Sequence, residues 1–133
     1  MLRPGGIFLF ATHNRSAIGT GEKPWSWYRL TFNPLRFAVR TARLGGDLLR
    51  DLPNYLRNRR HNRHFDGYST LVAATHHFSM VVLYIDLDLQ RRLLGQAGFE
   101  VEAIYGSESG ERVVDGTDTG KIWWFHLVAR KRG

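Results

Sequence analysis

The sequence predicts an α/β fold, and three stretches carry that reading. A turn at Pro4-Gly5-Gly6 leads into Ile7-Phe8-Leu9-Phe10-Ala11, apolar at every position, as strands covered on both faces of a parallel sheet are. A helical pattern opens after Asp86 and gives way, past Gly98, to an alternating run from Phe99 to Tyr105. The last apolar stretch, Lys121 to Arg130, is rich in the aromatic and β-branched types that favour strands. Strand, helix, strand in that order implies a parallel pair. The closing strand follows its predecessor through a loop without a helix, which implies an antiparallel course. A sheet of about three strands is expected.

In chain order, residues 7–12 form the first strand, which ends at Thr12-His13-Asn14-Arg15. From Ser16 to Pro24 the chain is small, polar and Gly-rich, hence loop. Leu35, Val39 and Ala42 then keep helical spacing on one side, and Arg36, Arg40 and Arg43 on another. Gly45-Gly46 is expected to break that helix. A second apolar stripe, Leu48-Leu52-Tyr55, contains Pro53, which is expected to kink or restart it. The span from Arg57 to Arg63 is the most basic of the chain and reads as a solvated helix end or loop. Residues 68–85 suggest one or two short extended pieces with a helical turn around His76. Asp86 stands at an N-cap position ahead of Leu87, Leu89, Leu93 and Leu94, and Gly98 at a C′ position behind them. Residues 106–120 are turn-rich and read as a hairpin connection.

The chain of 133 residues fits one domain, with 16–85 as a mostly helical segment inserted into it. The absence of Cys excludes disulfides, thiolate metal sites and a Cys nucleophile. No basic, apolar, small-residue leader is visible, and no stretch approaches the roughly 20 apolar residues of a membrane span. A soluble, cytoplasmic protein is the expectation. The formal charge of +7 invites an anionic membrane surface or nucleic acid as partner. No nucleic-acid recognition motif accompanies the charge, which argues against that partner. Arg supplies most of the positive charge, with Lys only at Lys23, Lys121 and Lys131.

Leu2-Arg3-Pro4-Gly5-Gly6 before an apolar strand resembles the segment ahead of the fifth strand in class I SAM-dependent methyltransferases. Leu89-Gln90-Arg91-Arg92-Leu93-Leu94-Gly95-Gln96-Ala97-Gly98-Phe99-Glu100-Val101 resembles the helix and the entry into their sixth strand. Trp123-Trp124-Phe125-His126-Leu127-Val128-Ala129-Arg130-Lys131 resembles their antiparallel seventh strand. Between these, Thr12-His13-Asn14-Arg15 and His76-His77-Phe78 are similar to elements that flank a helical insertion in relatives of the ubiquinone-pathway O-methyltransferases, although His77 stands where those have Asp. The resemblance implies the C-terminal part of a Rossmann-like sheet, strands five to seven with the last antiparallel, and a helical insertion on the substrate side. It implies S-adenosyl-L-methionine as cofactor and a small molecule as methyl acceptor. The family's G-x-G-x-G turn and ribose-holding acidic residue have no counterpart here. Gly19-x-Gly21 has neither a strand leading into it nor a helix opening on it. The chain therefore reads as a C-terminal fragment, inactive alone, with a missing N-terminal half or self-association covering its first strand.

On this reading His76 and His77 are the catalytic candidates. An imidazole titrates near neutrality and can serve as general base or orient a hydroxyl; the plainer alternative is a histidine bonded at the core edge. Thr12, His13, Asn14 and Arg15 are the substrate-binding candidates, because open α/β sheets bind ligands at the carboxyl ends of their strands. Trp25 and Tyr84 join them, with Trp27 and Tyr28 near Trp25 as anchor or pocket wall. His61-x-x-His64 lies in a basic neighbourhood with no carboxylate to complete a site, so no metal is expected. The basic segment from Arg36 to Arg63 suits peripheral contact with an anionic membrane or, alternatively, a lid whose Arg face is simply solvated.

Overall fold

The computed structural model describes residues 2–26, 28–107 and 110–133. It is a mixed α/β protein. Strands β1 (Ile7–Asn14), β2 (Arg63–Phe65), β3 (Tyr68–Val72), β4 (Val81–Ile85), β5 (Phe99–Gly106), β6 (Glu111–Arg112) and β7 (Trp124–Lys131) combine with helices α1 (Pro34–Asn58) and α2 (Leu87–Gln96). The strand order is β2-β3-β4-β1-β7-β5-β6. The chain divides into two compact units, unit 1 (Met1–Thr20, His64–Ser69 and Leu83–Gly133) and unit 2 (Gly21–Arg63 and Thr70–Val82).

In unit 1, β7 lies between β1 and β5 and runs antiparallel to both, with Phe10 opposite Leu127 on one side and Ile104 opposite Leu127 on the other. β1 and β5 are thus mutually parallel but not neighbours. The strand–helix–strand pattern made them an adjacent pair; the last strand in sequence separates them instead. β4 pairs in parallel with the end of β1, His13 opposite Tyr84 and Asn14 opposite Ile85. The expected three strands are seven: β3 and β4 are the extended pieces expected within residues 68–85, and β2 and β6, of three and two residues, are too short to show a period.

β7 alternates as a half-buried strand should, and Phe125, Leu127 and Ala129 are fully buried. With Leu94 of α2, Ile104 of β5 and Val113 they form the core of unit 1. α2 sits where the sequence places it. Asp86 occupies the N-cap position and Gly98, at φ +78°, follows the C-cap Ala97. The Asp86 carboxylate does not cap the helix, however. It pairs with the Arg15 guanidinium at 2.9 Å, so a long-range ion pair displaces the local bond.

The uniformly apolar β1 departs from expectation. Ile7, Phe8 and Leu9 are 50%, 39% and 68% exposed, so this part of the strand is not covered on both faces. Phe8 stacks on Phe10, their ring centroids 5.0 Å apart, and Phe10 packs against the core.

In unit 2, α1 runs unbroken for 25 residues through Gly45-Gly46 and past Pro53, so the glycines do not break the helix and it does not restart at the proline. Asn33 caps its start, accepting from the Arg36 amide at 3.0 Å, and Pro34 holds the first position. Good helix formers flank the glycines, and their propensity outweighs about 1 kcal/mol lost at each. A Cβ at Gly45 or Gly46 would meet nothing within 4 Å. Gly45→Ala with Gly46→Ala should therefore raise helicity in far-UV circular dichroism and stabilise the protein by about 1–2 kcal/mol in urea melts. The segment 16–85 is also less helical than its composition suggests, since three strands share it with α1. The expected extended pieces are β3 and β4, and the turn around His76 is a 3-10 turn, Ala74–His76.

Candidate functional site

The sequence-derived candidates divide between the units. Thr12, His13, Asn14, Arg15 and Tyr84 belong to unit 1, and Trp25, His76 and His77 to unit 2.

In unit 1, Asn14 is 1% exposed and ends β1. Its amide donates to the carbonyls of Thr119 and Ile122, both at 2.8 Å, and its Oδ1 accepts from the Ser16 amide at 2.9 Å. Both donors of the side chain are thereby spent on holding the 119–122 turn against the strand. Asn14→Ala strips two part-buried carbonyls of partners and should cost about 1–3 kcal/mol in chemical denaturation. His13 is exposed, its ring 5.4 Å from that of Tyr84 and 6.4 Å from that of Trp124. Tyr84 is 7% exposed, and burial raises its phenol above the ordinary value. Thr12 is half-buried beside them. A polar groove of about 570 Å³ opens at this carboxyl end of β1, lined by Asn14, Ser16, Asp66, Asp86 and Thr119 among others. Thr12, His13 and Tyr84 do not line it.

In unit 2, the better-organised geometry surrounds His77. One face of α1 presents Asp51, Asn54, Tyr55 and Asn58 at i, i+3, i+4 and i+7, neighbours on a helix surface. Each touches the loop between β3 and β4. Asn54 Nδ2 donates to the His77 carbonyl at 3.0 Å, and Asn58 Nδ2 to the Phe78 carbonyl at 2.9 Å. The Tyr55 ring meets Phe78 edge-on at 5.5 Å, and Trp25 meets Tyr55 likewise at 5.9 Å. Asp51 Oδ1 lies 3.2 Å from His77 Nδ1 and accepts from Arg50 Nε at 2.8 Å. The loop needs this grip. His77 and Phe78 adopt φ +51° and +58°, a conformation that costs a bulky L-residue about 1–3 kcal/mol. Burial of Phe78, 1% exposed, offsets the strain.

The Asp51 side chain is 11% exposed and that of His77 55%. A carboxylate 3.2 Å from Nδ1 favours one orientation of the imidazole, with Nε2 on the other side of the ring. His76 shows no such support: it is exposed, and its carbonyl accepts from the Ser79 hydroxyl at 2.6 Å. The structure thus separates the two histidines, and His77 is the one with an orienting partner. Trp25 is 48% exposed, with Lys23 Nζ 5.8 Å from its ring centre. Trp27 lies outside the described residues.

The sequence reading missed Asp51, Asn54 and Asn58. The spacing D-x-x-N-x-x-x-N within an otherwise apolar helix stripe was the available signal. A groove of about 510 Å³ adjoins the pair, with Asp51, His77, Arg43, Arg50, Leu44 and Tyr28 in its wall.

No protein-family model matches the chain, nor does any curated protein or solved structure. Among the described residues no group of acidic, His or Cys side chains is placed to hold a metal ion, and no helix is long and apolar enough to cross a membrane. The residues do not fit an S-adenosyl-L-methionine cradle. Gly19 and Gly21 lie in a run of turns, and no helix opens on them.

Proposed function

We propose that this chain is the C-terminal, substrate-side part of a class I SAM-dependent methyltransferase acting on a small-molecule acceptor. The observation that carries the reading is the arrangement of β1, β7 and β5. The three segments that resemble the family's last three strands come together, parallel at the outside, with the antiparallel last strand that the resemblance implies. The cofactor's cradle belongs to a part of the domain that these residues do not supply. Their own contribution is to accept a proton. With Nδ1 3.2 Å from Asp51 Oδ1, His77 offers Nε2 as the base for the proton that an acceptor hydroxyl loses.

The DNA upstream of the Met1 codon tests this. On the proposed reading it encodes, in some frame, an apolar strand, a G-x-G-x-G turn and an acidic residue about 20 positions on. Upstream sequence with none of these sinks the reading. The exposed Ile7 and Leu9 add a second expectation. The isolated chain should sediment as a dimer or larger in analytical ultracentrifugation, and a clean monomer counts against a half-domain.

A second reading has one observation in its favour. Leu35 and Leu49 of α1 are 74% and 82% exposed, beside exposed Arg36, Arg40 and Arg43. A non-catalytic basic module that docks on an anionic membrane surface would use such a face. Salt-sensitive binding to anionic vesicles, with no effect of S-adenosyl-L-methionine, would favour it.

A further inference from the structure

We propose that the groove of unit 2 binds the oxyanion end of a small organic molecule, a carboxylate or phosphate group, through Arg29, Arg40 and Arg43. The inference does not depend on methyl transfer. The groove, about 510 Å³, falls in the range of about 300–1,000 Å³ typical of small-ligand sites. Four arginines line it, Arg29, Arg40, Arg43 and Arg50, against two acidic residues, Asp47 and Asp51, an excess of two positive charges from these side chains.

The pairing within the wall shows which arginines are spent. Arg50 donates from Nε to Asp51 at 2.8 Å and from Nη2 to Asp47 at 3.0 Å, and so uses both carboxylates. Asp51 also faces His77. Arg40 gives one N–H to the Arg29 carbonyl at 2.9 Å and pairs with no carboxylate among the described residues. The guanidinium groups of Arg29 and Arg43 have no acceptor among the described residues. Arg40 and Arg43 stand at i and i+3 on α1, where like charges repel. A concave surface with unspent, mutually repelling guanidiniums attracts an oxyanion, and Arg forks bind carboxylate or phosphate bidentately. Pro24, Leu44 and the Tyr28 ring supply apolar wall for the rest of the ligand.

The test is an NMR titration of the 15N-labelled chain with inorganic phosphate and, separately, citrate, at ionic strength held constant with sodium chloride. Saturable shifts are expected at the side-chain N–H groups of Arg29, Arg40 and Arg43, and the tighter of the two anions identifies the favoured group. Arg43→Gln, at an exposed position, should weaken binding about tenfold, whereas Arg91→Gln in unit 1 should match the parent chain. Arg29→Gln repeats the test should circular dichroism show that the first variant loses helix. Linear shifts spread over all arginines would overturn the proposal, as would saturable binding that both groove variants leave unchanged. Capture on phosphatidylglycerol vesicles with no response to either soluble anion would overturn it too.

Discussion

Phe125→Ala is expected to destabilise the protein by about 3–5 kcal/mol. Phe125 lies near the start of β7, fully buried in one core cluster with Leu94, Ile104, Val113 and Leu127. Because β7 joins β1 to β5, the cavity opens in the strand on which the order of unit 1 depends. Domains of this size are stable by only about 5–15 kcal/mol, so the variant should lose most of its margin. Urea denaturation followed by tryptophan fluorescence reads the effect, with Trp123 and Trp124 beside the cavity. Val114→Ala is the control. Val114 is 59% exposed, and its truncation should change stability by no more than about 0.5 kcal/mol. Equal effects of the two substitutions would remove β7 from the centre of the core.

If the proposed function holds, His77→Asn is expected to lower methyl transfer by the complete reading-frame product about 10²–10⁴-fold, the usual contribution of a positioned base. Asparagine is chosen because it tolerates the left-handed backbone at φ +51°, so the loop keeps its path while the imidazole is lost. Asp51→Asn should give a smaller loss, since it withdraws the orienting charge but leaves the base. His76→Asn should have little effect, as His76 lacks an orienting carboxylate. Comparable losses at both histidines would place the proton elsewhere. Preserved loop geometry is checked by the Phe78 and Tyr55 ring resonances, which sense their contact at 5.5 Å.

How much of this was legible in the sequence depends on how local each signal is. α2 and β5 announce themselves, because Asp86, the leucine spacing and Gly98 all lie within the element they delimit. β7 is equally plain from its aromatic and β-branched residues. Its insertion between β1 and β5 is not, since no residue of β7 records which strands it meets. The glycines of α1 mislead for a physical reason: two residues of poor propensity cannot break a helix whose capped start and long flanks outweigh them. Asn14 reads as a ligand contact because strand ends often carry one, yet its amide serves carbonyls more than 100 residues away in sequence. The site behaves in the same way. His77 stands out by type, whereas Asp51, Asn54 and Asn58 look like solvated helix polarity until the loop around His77 is laid against them. Asp86 is a partial success, its position read correctly and its carboxylate taken by Arg15.

The central claim is that these residues belong to a methyl-transferring domain. The most direct measurement is transfer of the labelled methyl group of S-adenosyl-L-methionine into a small-molecule extract, catalysed by the product of the complete reading frame around this sequence. The account predicts label in an extractable small molecule, with the transfer sharply reduced by His77→Asn. A complete product that neither binds S-adenosyl-L-methionine nor moves its label would contradict the account.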